Sequence, residues 1–116
     1  MKKYFSFAIA LVILSSCSLT STTFIKANDS FLLGQNEHGK FSVVVKNTSP
    51  NEIKIWKMPI NGGQHSLLVL KPLEKTKIKV ESNTALSFNN ESDKDGTVEL
   101  KVTGDTGLSM GYKNQN

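Results

Sequence analysis

After an apolar opening stretch, the chain settles into short runs in which apolar and polar residues alternate at period two. Side chains of a strand point alternately to its two faces, so each run reads as a strand with one face toward a core. In Phe41-Ser42-Val43-Val44-Val45-Lys46, Phe41, Val43 and Val45 share a face. Glu52 to Lys57 sets Ile53 and Ile55 against Glu52, Lys54 and Trp56. Ser66 to Leu70 is nearly all apolar, the pattern of a strand covered on both faces. Thr76 to Val80 alternates with Lys77 and Lys79 outward, Ala85 to Phe88 is shorter, and Thr97 to Val102 is the clearest case. Leu108, Met110 and Tyr112 offer a last strand.

Turn-forming clusters separate these runs: Asn47-Thr48-Ser49-Pro50, Asn61-Gly62-Gly63, Lys71-Pro72, Asp93-Lys94-Asp95-Gly96 and Gly104-Asp105-Thr106-Gly107. After the opening stretch no helical period competes with them. The pattern predicts an all-β fold: a small antiparallel two-sheet β-sandwich, immunoglobulin-like in architecture. The two cysteines that bracket the core tryptophan of an antibody domain are missing, so only the architecture is implied. Outward lysines at 54, 77, 79 and 101 oppose edge-to-edge pairing.

The opening stretch has a different logic. Lys2 and Lys3 precede an apolar run from Phe5 to Leu14, about half of the roughly 20 residues that span a bilayer core, which suits the signal helix of a cleaved leader better than a permanent anchor. Leu14-Ser15-Ser16-Cys17 follows, and Cys17 is the one cysteine in the chain. These residues resemble the lipobox of bacterial lipoproteins. The resemblance covers residues 1–17 and implies that Cys17 is lipidated: its sulfur receives a diacylglycerol with palmitate-type chains, the leader is cut before it, and its new amino terminus gains a further chain. Ser18 stands where the class places an aspartate for inner-membrane retention. The resemblance therefore implies the outer membrane in a Gram-negative host, and otherwise the outer face of the cytoplasmic membrane.

These readings divide the chain into a lipoprotein signal peptide (1–16), a lipidated tether (17–30), a sandwich domain (31–112) and a flexible tail (113–116). The segment 18–30 has no sustained period, although Phe24 and Ile25 offer a further strand. Removing Lys2 and Lys3 leaves twelve lysines against ten acidic residues, so the formal charge drops from +4 to +2. There is no arginine, and the lysines form no cluster along the chain, which argues against nucleic acid as a partner. A single thiol excludes an internal disulfide, leaving stability to the apolar core.

Candidate chemistry is sparse. Glu91 to Gly96 resembles the start of a calcium loop, but Val102 stands where the bidentate glutamate belongs; a hairpin turn with Gly96 in a left-handed conformation is the expected structure. His38, His65, Met58 and Met110 are the soft donors, at spacings that match no metal signature, and both histidines are expected in solvated loops. No nucleophile elbow, phosphate loop or cofactor motif is present. Trp56 is either buried in a central strand or partly exposed; in the second case Trp56, Met58, Pro59 and Ile60 make an apolar ridge for a protein partner. The expectation is a non-enzymatic envelope protein, held to the membrane by acyl chains on Cys17 and acting as a protein-interaction or accessory module. The alternative is a binding protein for a small ligand, glycan or metal.

Overall fold

In the computed structural model, residues 18–113 are described; the signal helix, Cys17 and the tail beyond Lys113 lie outside them. The strands are β1 (Ser18–Ile25), β2 (Asp29–Leu33), β3 (Phe41–Asn47), β4 (Ile53–Pro59), β5 (His65–Leu70), β6 (Lys75–Val80), β7 (Thr84–Asn90), β8 (Gly96–Gly104) and β9 (Met110–Tyr112). They form a four-stranded sheet in the order β1-β8-β3-β6 and a five-stranded sheet in the order β5-β4-β7-β2-β9. All pairings are antiparallel.

The expected two-sheet sandwich forms, and its strand order is more specific than the alternation disclosed. β1 pairs with β8, β2 with β7, β3 with β6 and β4 with β5. The chain is thus one long hairpin rolled up on itself, the jelly-roll order rather than that of an immunoglobulin domain. Most connections consequently cross between the sheets, and β4–β5 is the one that stays within a sheet.

The segment expected as a tether is largely sheet. Ser18–Ile25 makes the whole of β1, an edge strand paired with β8 from Ser18↔Thr103 to Ile25↔Gly96, and β2 begins at Asp29. Leu19, Ser21, Thr23 and Ile25 face inward, with Thr23 and Ile25 fully buried. The period was present, but hydroxyl residues on both faces hid it. Threonine's branched Cβ favours the extended chain, and the inward hydroxyls of Ser21 and Thr23 hydrogen-bond each other at 2.9 Å.

Between the sheets, fifteen apolar side chains form one core, including Ile25, Phe31, Val43, Ile55, Phe88, Val98 and Leu100. Burying each contributes about 1.5–3 kcal/mol against leaving it in water, which offsets the ordering of a short chain with no disulfide. Phe31 packs between Phe88 and Tyr112, with ring centroids 5.9 and 5.5 Å away.

Two buried asparagines tie crossovers to this core. Asn47 Nδ2 donates to the carbonyls of Asn51 and Leu70, and its Oδ1 accepts from the N–H and hydroxyl of Ser49. Asn90 Nδ2 donates to the carbonyls of Ile25 and Lys94, and its Oδ1 accepts from the N–H of Ser92. The 91–95 loop is therefore a crossover between sheets, and the expectation of a hairpin with a left-handed Gly96 fails. Gly96 lies in β8 outside the positive-φ set. Its missing side chain makes room: a Cβ there would meet Ser49 Cβ at 3.2 Å and Asn90 Nδ2 at 3.4 Å.

Candidate functional site

Alternation places Lys54, Trp56 and Met58 on the outer face of β4, because Ile53 and Ile55 are committed to the core. β4 runs between β5 and β7, so Trp56 is on an interior strand, yet its indole is only half-buried on the outer surface. Pro59, also half-buried, ends the strand. Ile60, 56% exposed, turns into the β4–β5 loop, held by its N–H to the Asn83 carbonyl at 2.9 Å.

The register extends this ridge into a face. β5 is an edge strand, not one covered on both sides, and Leu67 and Val69 on its outer side are 47% and 37% exposed. Leu32 of β2 lies opposite Ser87, which in turn lies opposite Trp56. Ala85 and Ser87 also point outward, since Leu86 and Phe88 fill the core, but they are 6% and 4% exposed. These small residues form a floor sunk between the larger Leu32, Trp56 and Met58.

The lysine on this face is neutralised within the fold. Lys54 Nζ donates to Glu91 at 2.9 Å, and this bond raises the lysine's pKa above its ordinary value, assisted by the charge of Glu91. Lys57, opposite core-facing Leu86 on the inner side of β4, lies 3.7 Å from Glu81. Toward β2 the face opens into a hollow of about 400 Å³ lined by Ser30, Leu32, Met58, Ser87, Asn89 and Glu91 among others. There Asn89 Oδ1 accepts from Ser30 Oγ at 2.6 Å and Ser87 Oγ at 2.7 Å.

The opposite surface is a different one. On the outer side of the four-stranded sheet, Lys75, Lys77 and Lys79 project from β6, Lys46 from β3 and Lys101 from β8. Lys46 stands opposite Lys75 and Glu99, and Val44 between Lys77 and Lys101. The absence of clustering seen along the chain is overturned: three strands distant in sequence bring five lysines together with one glutamate.

The histidines do not converge. His38 is buried rather than solvated: its ring packs edge-on against Phe41 at 5.2 Å, with Nδ1 2.6 Å from the Gly39 carbonyl and Nε2 2.9 Å from that of Thr84. His65 is exposed at the start of β5. Among the described residues no three His, Cys, Asp or Glu side chains are grouped as a metal site requires. In the 91–95 loop, Asp95 accepts from the N–H of Ala27 at 3.0 Å, which makes it a loop brace.

Sequence reasoning named Trp56, Met58, Pro59 and Ile60, and it did not name Leu32, Leu67, Val69 or the lysine face. Leu67 and Val69 were legible only as members of a wholly apolar run, which cannot say which side is open.

Residues 1–18 match the model of the prokaryotic membrane lipoprotein lipid attachment site. That match and the Leu14-to-Cys17 sequence define the class: a lipid-anchored bacterial lipoprotein, membrane-associated in the cell envelope through Cys17. No curated protein and no solved structure matches the chain. Among the described residues, no helix is long and apolar enough to cross a membrane.

Proposed function

We propose that this lipoprotein is a non-enzymatic protein-interaction module of the bacterial envelope, working through the outer face of its five-stranded sheet. The observation that carries this reading is the juxtaposition of exposed Leu67 and Val69 with half-buried Trp56, Met58 and Leu32 on one side of a folded domain. Contiguous apolar surface of this kind favours a partner, and aromatic residues at the centre of such a patch carry most of the binding energy. The partner is an envelope protein with an uncharged apolar surface, since Lys54 on this face already has a carboxylate beside it. Pro59 and Ile60 continue the surface around the end of the domain. In a Gram-negative host, Ser18 directs the protein to the outer membrane.

Photo-crosslinkers placed at Leu67 and at Lys77 in living cells test the reading. A discrete protein adduct is expected from position 67 and not from 77, and Trp56→Ala is expected to weaken it while leaving the melting temperature nearly unchanged. Equal labelling from both positions, or a collapse in stability with Trp56→Ala, refutes it. The hollow beside Met58 favours a second reading, capture of a polar small ligand such as a glycan, for which Asn89 and the Glu91 carboxylate supply hydrogen-bonding groups. Ligand-dependent thermal stabilisation that Asn89→Ala abolishes is the result expected from that reading.

A further inference from the structure

We infer that the lysine face of the four-stranded sheet lies on the anionic phospholipid headgroups of the membrane that holds the anchor. Ser18, the residue after lipidated Cys17, is already paired with Thr103 in β1, so the anchor joins this sheet without a spacer. Adjacent Cα atoms are about 3.8 Å apart. The acyl chains therefore enter the bilayer at one corner of this sheet, and the domain's freedom reduces to how it leans.

The charges choose the lean. Lys46, Lys75, Lys77, Lys79 and Lys101 share the outer side of the sheet with Glu99 alone, five positive charges against one negative. Lysines on an edge strand such as β6 are explained by protection against edge-to-edge pairing. Lys46 and Lys101 are not, because β3 and β8 are interior strands. Among the described residues, neither has an ion pair within 4 Å. Phe24 projects on the same outer side from β1 and is 66% exposed. A large exposed aromatic on the same side of the sheet as the lysines, on a surface joined to a lipid, is the composition of an interfacial contact. Lying this way, the protein turns the apolar face of its five-stranded sheet away from the bilayer; the inference rests on the anchor and is independent of the partner proposed for that face.

The test uses the full lipidated protein with Trp56→Phe, reconstituted into vesicles with brominated acyl chains that quench nearby tryptophan. One variant carries Phe24→Trp and another Leu67→Trp. In vesicles of phosphatidylglycerol and phosphatidylcholine, position 24 is expected to be quenched severalfold more than position 67. The difference is expected to shrink in pure phosphatidylcholine, and with salt raised to 1 M, where the Debye length falls from about 10 Å to about 3 Å. Lys46→Gln combined with Lys77→Gln and Lys101→Gln is expected to act like the salt. Equal quenching at both positions, or a difference indifferent to both lipid charge and salt, overturns the inference; the lipid and salt arms need no lysine variant to fold.

Discussion

Replacing Asn90 with alanine tests whether the strand next to the anchor is a fixed part of the sandwich. Asn90 is 1% exposed and its side chain holds the carbonyl of Ile25, at the end of β1, together with Lys94 and Ser92 of the crossover that follows. Lys94 keeps a second donor in Asn51 Nδ2 at 2.9 Å, so the main casualties are the Ile25 carbonyl and the Ser92 N–H. Two lost bonds at about 0.5–1.5 kcal/mol each give a loss of about 1–3 kcal/mol, since Ile25 stays paired with Gly96 in the β1–β8 ladder. That is a sizeable part of the roughly 5–15 kcal/mol of a domain this size and lowers Tm by about 5–25 °C. Urea and thermal unfolding of the detergent-solubilised lipoprotein measure the loss, and hydrogen exchange locates it. Protection is expected to fall first in β1 and the 91–95 loop. Asn61→Ala, in the exposed β4–β5 loop, should stay within about 0.5 kcal/mol of the parent. A loss below about 1 kcal/mol for Asn90→Ala, or β1 protection unchanged, refutes the role assigned to this side chain.

Two further predictions concern turns. Leu73 follows Pro72 in a turn closed by the Glu74 N–H on the Lys71 carbonyl at 3.0 Å, with a φ of 68°. That is the position of a type II turn where glycine belongs, and the leucine is 74% exposed; Leu73→Gly is expected to raise stability by about 1 kcal/mol, and a lower urea midpoint contradicts this. Asp105 accepts from the N–H groups of Gly39 and Gly107, which hold its carboxyl below the ordinary value of 3.8. A lowered folded pKa contributes stability above the unfolded pKa, lost as pH falls through the folded value. Urea midpoints of Asp105→Asn should accordingly depend less on pH below about 4 than those of the parent, and identical acid profiles would count against it.

Much of the architecture was legible because a core between two sheets requires period-two alternation, and β3, β6 and β8 display it with little interference. β1 was not, since Thr20, Ser21, Thr22 and Thr23 give hydroxyls to both sides and only the register with β8 shows which side is buried. Gly96 was misread because turn composition suggests a backbone torsion, whereas the structure uses the space left by the absent Cβ. His38 was misread for a related reason. Its polar neighbours in sequence are not its neighbours in space, where Phe41 and the Thr84 carbonyl enclose it. On the candidate face, Trp56 and Met58 could be read from one strand, but Leu32 and Leu67 required the strand order.

That order also explains why the two outer surfaces differ so sharply. Lysines pointing outward from β3, β6 and β8 share a surface because rolling the hairpin seats β6 and β8 on either side of β3. The outward Leu32, Trp56, Met58, Leu67 and Val69 come from β2, β4 and β5, all in the other sheet. A meander through the same strands would have placed β3, β4 and β5 side by side and mixed lysines with the apolar residues. The rolled topology therefore converts a chain of nearly balanced charge into a domain with one basic and one apolar side, with the anchor at the edge of the basic one. Attachment and orientation then depend on different residues. Acyl chains secure attachment at about 0.8 kcal/mol per buried methylene, so neutralising Lys46, Lys77 and Lys101 should leave the protein in the membrane fraction while releasing its lean.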